Sequence, residues 1–300
     1  MNLNPSFFQE EVRSGFLVTA KQKKVWAVEL RILERFSEVC KKHHLTWYAY
    51  YGTLLGAVRH QGFIPWDNDI DVVMLRDDYA RFCTVAPEEF TEPYHFQPVA
   101  AFCKICDSRT TAINPQSCDL TGNTNHGIFI DIFPFDSIDD GTDPQFSSIS
   151  QVQQLLWVAI TQPHIIQNAL ETGKRMFLGS DFLTDYLKKT FTEQLQIFEA
   201  LNLSCFGKTQ KVNYILDELF SDLLDSSLYR SVDIACFLDI VYLPFENIEL
   251  PAPAGYDAVL TQSYGNYHQP VRGASAHEGI LMEPDIPYSE VLSLLSSSGI

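Results

Sequence analysis

Residues 50–82 read YYGTLLGAVRHQGFIPWDNDIDVVMLRDDYARF, and they hold three signals within one short space. Gly52-Thr53 interrupts an aromatic, strand-like piece over residues 47–51 and opens the short helix pattern Leu54-Leu55-Gly56-Ala57-Val58. A turn over residues 62–65 follows, and Asp67, Asp69 and Asp71, two residues apart, lead into an apolar strand over 70–75. Asp77 is placed to cap a helix through Tyr79 and Phe82. A glycine turn that opens a helix therefore precedes an acidic strand, and this pairing decides the fold.

The chemistry follows from the same residues. In extended chain, alternate side chains share a face, so Asp67, Asp69 and Asp71 point one way while Ile70 and Val72 point the other. Like charges held together repel unless a cation neutralises them, and hard oxygen ligands suit Mg²⁺ or Mn²⁺. A bare DxDxD is more often a solvated acidic turn; the glycine turn upstream shifts the weighing. Backbone amides at a helix start hold phosphate oxygens, Gly52 permits close approach, and Thr53 adds a hydroxyl. A further acid, Asp131, alternates with Ile128, Ile130 and Ile132, and an acid in such apolar surroundings is expected to be paired, ligating or a general base.

Working outward, Val25, Val28, Ile32, Phe36, Val39 and Cys40 recur at helical spacing and predict an amphipathic helix over 21–44. Strands are expected near 101–106 and over 127–133, the latter stopped by Pro134. The polar connection 136–145 is the predicted boundary, and 146–230 is patterned as helix, with loops that include 162–173. Strand character returns over 241–250, PAPAG makes a turn, and residues 256–264 form a helix closed by Gly265.

Composition bounds the class. The chain has 300 residues, 46% of them hydrophobic, enough for a large core. A net charge of −17 argues against nucleic acid as a partner, since a phosphate backbone needs dense cations. A small phosphorylated substrate needs only a local basic pocket, for which Arg59, His60, Arg76, Lys104 and Arg109 are candidates. Seven cysteines without dense spacing do not make a disulfide framework, and Cys103 and Cys106 suit a strand better than a zinc site. With neither a signal peptide nor a membrane span apparent, a cytoplasmic location is expected.

The 50–82 run closely resembles the LicD family of phosphocholine transferases, to which fukutin-related proteins are also similar. Lys104, Asp107 and Thr110 resemble the family's K..D..T stretch, GIFIDIFP its third-carboxylate strand, and Tyr256-Asp257 through Tyr264-Gly265 to His277 its closing segment. The resemblance implies an α/β (α+β) fold, a nucleotidyltransferase-like mixed sheet with flanking helices and a mostly helical insertion. It implies a catalytic core over 1–135, a helical acceptor-side subdomain over 136–240, and a return to the core over 241–300. The implied reaction moves phosphocholine, or a related alcohol phosphate, from a CDP-activated donor such as CDP-choline to a hydroxyl of a cell-surface glycan precursor, as in lipopolysaccharide or teichoic acid modification. A lipid-linked acceptor would bring transient contact with a membrane surface.

On this reading Asp69, Asp71 and Asp131 hold Mg²⁺ or Mn²⁺. Asp67 or Asp131 takes the acceptor's proton, and Gly52, Thr53, Arg59, Arg76, Lys104, Arg109 and His277 bind substrate or phosphate. One ring among Tyr48, Tyr50 and Tyr51 is placed to hold a choline headgroup, although core packing is the default. Asn68 stands where the family usually has aspartate, but faces away from the acids in extended chain. Two rivals remain: a nucleotidyltransferase that moves a nucleoside monophosphate from an NTP to a small hydroxylated compound, and a non-catalytic binding protein of the same fold.

Overall fold

A computed structural model describes residues 3–114, 124–217, 231–271 and 279–298. Helix α1 (Ala20–Lys42) is the amphipathic helix expected from the apolar spacing, and Val25, Val28, Ile32, Phe36, Val39 and Cys40 are all buried. The Thr19 hydroxyl accepts from the Gln22 amide at 3.1 Å to cap it, while Lys41 and Lys42 sit in the last turn, where the helix dipole favours cations. Before it lies a small hairpin of β1 (Glu11–Arg13) and β2 (Phe16–Val18).

After α1 come β3 (Tyr48–Ala49), α2 (Tyr51–His60), β4 (Asp71–Leu75) and α3 (Arg76–Glu89). A hairpin of β5 (Tyr94–Val99) and β6 (Phe102–Asp107), short β7 (Thr111–Ile113) and long β8 (Ile128–Ile138) follow. Pairing sets the order β5, β6, β8, β4, β3, with Lys104 opposite Asp131 across the antiparallel β6–β8 ladder. Alternation then divides β8: Ile128, Ile130 and Ile132 are fully buried, and Asp131 emerges on the other face.

By backbone contacts the chain forms two compact units, one of residues 1–133 and 237–300, the other of 134–236. The division falls inside β8, after Phe133. The second unit contains α4 (Pro144–Thr161), α5 (Pro163–Glu171), α6 (Ser180–Leu187) and α7 (Phe191–Cys205), with short strands β9 (Lys211–Asn213) and β10 (Val232–Asp233). Its core is seamed by Trp157 against Phe198, with ring centroids 5.4 Å apart, and by a buried Gln153–Asn202 hydrogen bond of 3.0 Å. The first unit is completed by the hairpin β11 (Ile240–Phe245) and β12 (Ile248–Pro253), helix α8 (Tyr256–Tyr264), β13 (Leu281–Glu283), which pairs with β7, and α9 (Tyr288–Ser298).

The fold is α+β, as expected, but several boundaries differ. Helix α2 begins at Tyr51, so Gly52 and Thr53 belong to its first turn instead of preceding it. Asp77 lies in the first turn of α3, whose N-cap is Leu75. Pro134 does not end β8: it falls between the ladder to β6, which ends at Ile132, and the ladder to β9, which starts at Asp136, so its missing N–H interrupts neither. PAP of the PAPAG stretch is the end of β12, and 163–171, expected as loop, is helical. Gly265 closes α8 with φ 61°, as its position suggested.

Candidate active site

Five hydrogen bonds to backbone atoms bring the acids together. Tyr50 donates its amide to the Asp71 carbonyl at 3.1 Å, and the Thr53 hydroxyl accepts the Asp71 amide at 2.9 Å. The first turn of α2 is thereby fastened to the start of β4. From the next strand the Asp131 amide donates to the Ile70 carbonyl at 2.9 Å. Asp67 is held from α1, where Trp26 Nε1 and Gln22 Nε2 donate to its carbonyl at 2.9 and 3.2 Å.

The electrostatics follow from this crowding. Burial, then the charge of Asp69 and a hydrogen bond shared with it, pushes the Asp67 carboxyl up to about 9. Asp71 is held well above the usual carboxylate range, first by burial and then by Asp69, Asp131 and Asp67, with Lys104 acting the other way. Lys104 reaches Asp131 at 3.2 Å, and its ammonium lies 3.4 Å from the Phe129 ring centroid. Carboxyls this close repel one another unless a proton or a cation offsets their charge. Among the described residues, no three acid, histidine or cysteine side chains are drawn into a closed ligand set.

Gly52 answers to a contact the pattern of the sequence does not reveal. A β-carbon there would stand 2.5 Å from Asp67 Oδ2, so the absent side chain makes room for an acid of the cluster. Tyr51, beside it, has φ 42° with a full side chain, a backbone state that costs energy and is often found at functional sites.

The basic candidates separate. Lys104 joins the acids. Arg109 is bidentate on the buried Asp107, at 2.9 and 2.7 Å. Arg76 is 1% exposed, over the Tyr79 ring. At the far end of α2, Arg59 donates to His60 Nε2 and to the Tyr267 carbonyl, and burial lowers the pKa of both Arg59 and His60. Asn68 donates to Met282 Sδ at 3.5 Å. Of the tyrosines, Tyr48 and Tyr50 are buried, while half-buried Tyr51 meets the half-buried Phe133 edge-on at 5.5 Å. Arg272 and His277 lie outside the described residues. Cys103 and Cys106 are buried free thiols in β6.

Sequence reasoning missed Glu29. It is 1% exposed, and its carboxyl is raised well above the ordinary range by burial and then by Asp69, Asp67 and Asp131. A signal for it existed: an acid lies inside the apolar stripe, four residues after Val25 and three before Ile32.

A model of the LicD/FKTN/FKRP nucleotidyltransferase domain matches residues 44–159, which include β3, α2, β4 and Asp131. The lipopolysaccharide cholinephosphotransferase LicD of Haemophilus influenzae is 30% identical over 257 residues, which cover 79% of this chain and 88% of that protein. The chain belongs to the LicD family. Shorter matches are with uncharacterized proteins of Rickettsia typhi, 34% identical over 27% of this chain and 28% of that protein, and of Rickettsia prowazekii, 34% over 19% and 22%. Within this LicD-family chain, no helix of the described residues is long and apolar enough to cross a membrane.

Proposed function

We propose that the protein transfers phosphocholine, or a closely related alcohol phosphate, from a CDP-linked donor to a hydroxyl of a cell-surface glycan precursor, lipopolysaccharide being the acceptor named for its H. influenzae relative. The observation that carries this is the gathering of Asp67, Asp69, Asp71 and Asp131 at the start of α2, in a chain similar to a cholinephosphotransferase over most of its length. No disulfide joins the six described cysteines, which suits a reducing cytoplasm.

The acids fit a divalent cation, Mg²⁺ or Mn²⁺, because several hard carboxylate oxygens crowd together in a buried setting and a buried carboxyl on α1 has both oxygens without a partner. Asp69, Asp71 and Asp131 would hold it. When bound, such an ion neutralises charge on the donor diphosphate.

The chain's own groups do the rest. The start of α2, where the N-cap Tyr50 makes no side-chain cap, offers backbone amides to phosphate oxygens. Lys104 neutralises Asp131 and adds positive charge beside the transferred group. The acceptor oxygen attacks the phosphorus that bears choline, the bond from that phosphorus to the bridging oxygen breaks, and CMP leaves with that oxygen. The hydroxyl proton passes to Asp67 or Asp131. Acceptor choice falls to the second unit, with its helices α4 to α7.

A thermal-shift panel tests this reading. CDP-choline and CMP with Mn²⁺ should raise the melting temperature and ATP should not; stabilisation by ATP alone points to nucleotidyl transfer instead.

A further inference from the structure

Helix α1 carries a carboxyl that the transfer chemistry does not use directly. Glu29 is 1% exposed, and neither of its oxygens has a hydrogen-bond partner. An ionised carboxylate so placed is costly unless paired or ligating. A neutral one still leaves its hydroxyl proton without an acceptor. Packing does not explain it, since leucine would fill a position in an apolar stripe without burying an acid.

The surroundings sharpen the point. The charges bearing on Glu29 are those of Asp69, Asp67 and Asp131, all of its own sign. Six residues earlier, buried Lys23 does have its counter-ion, Glu11, at 2.6 Å. The face of α1 that carries Glu29 is also tied to the acidic segment, through Trp26 and Gln22 on the Asp67 carbonyl. Two buried, unpartnered oxygens, on the helix face that Trp26 and Gln22 tie to the acidic segment, call for a hard cation from solution.

We propose that Glu29 supplies, from α1, a further ligand to the divalent cation held by Asp69, Asp71 and Asp131. This rests on the cation reading given above. Its consequence is mechanical: cation binding locks the long helix to the loop that precedes β4, so the ion shapes the site as well as neutralising the donor.

The test is Mn²⁺ titration of the metal-free full chain by calorimetry, with thermal melts alongside. Glu29→Gln keeps the shape and removes the charge. It should weaken Mn²⁺ binding roughly tenfold or more, raise the melting temperature of the metal-free protein, and shrink the rise that Mn²⁺ produces. Glu29→Asp keeps the charge but draws it back by one methylene; it should also bind more weakly, and it serves if Glu29→Gln fails to fold by circular dichroism. Wild-type affinity in either folded variant overturns the proposal. A wild-type protein that takes up no Mn²⁺ removes the cation reading itself, and Glu29 with it, a signature distinct from tight wild-type binding that the variants leave untouched.

Discussion

Replacing Gly52 with alanine places a β-carbon 2.5 Å from Asp67 Oδ2, about 1 Å inside ordinary contact. The carboxylate cannot shift freely. It accepts from the Asn68 amide at 3.2 Å and bonds with Asp69, while the Asp67 backbone is held by Trp26, Gln22 and the Ile64 carbonyl. Overpacking of this kind costs about 1–3 kcal/mol. Alanine in place of glycine in a helix returns roughly 0.5–1 kcal/mol. The net expectation is a loss of up to about 2.5 kcal/mol, together with a large fall in transfer rate because an acid of the cluster is displaced. The assay is urea unfolding of a double-mutant cycle: in an Asp67→Ala background the Gly52→Ala cost should vanish, since its steric partner is gone. Equal cost in both backgrounds refutes the claim that Gly52 exists to seat Asp67.

Three further outcomes are expected. Asp69→Asn and Asp71→Asn should each abolish transfer with the circular dichroism unchanged, and should raise the melting temperature of the metal-free protein by relieving repulsion; activity retained in both disproves the acidic mechanism. Because the folded Asp67 carboxyl is raised from 3.8 to about 9, the metal-free fold binds the extra proton, so the stability this group contributes is fully present below about pH 4 and is lost as pH rises toward 9. Melts at pH 5.5 and 8 test the sign, and saturating Mn²⁺ should flatten the difference. Glu246→Ala leaves Arg13, which holds Glu246 Oε2 at 2.9 Å, with Glu11 alone and strands the Phe63 amide, bonded to Glu246 at 3.1 Å; a loss of about 2 kcal/mol is expected, and a change under about 0.5 kcal/mol would show the pair to be incidental.

What the sequence disclosed depended on how local the cause was. The period of α1 is set by residues within one helix, and every apolar position singled out is buried. The acids and the glycine turn lie within twenty residues, so their juxtaposition was legible. Glu29 was not, because an acid on a stripe gains meaning only when Asp67, Asp69 and Asp131 arrive from other elements. Likewise β7 pairs with β13 across more than a hundred and fifty residues, and no local pattern announces Thr111 opposite Glu283. In β8 the local rule that proline stops a strand gave way, since two partner strands meet it on either side of Pro134. The Gly52 contact was hidden for the same reason: spacing shows a turn, and only the folded chain shows what fills it.

The central claim is donor chemistry, and it is tested most directly by following CDP-choline, a glycan acceptor and Mn²⁺ with the purified protein. CMP should appear in equal amount to phosphocholine on the glycan, and both should cease with a chelator and with Asp71→Asn. Release of diphosphate from an NTP, with the NMP on the acceptor and CDP-choline intact, would contradict the account.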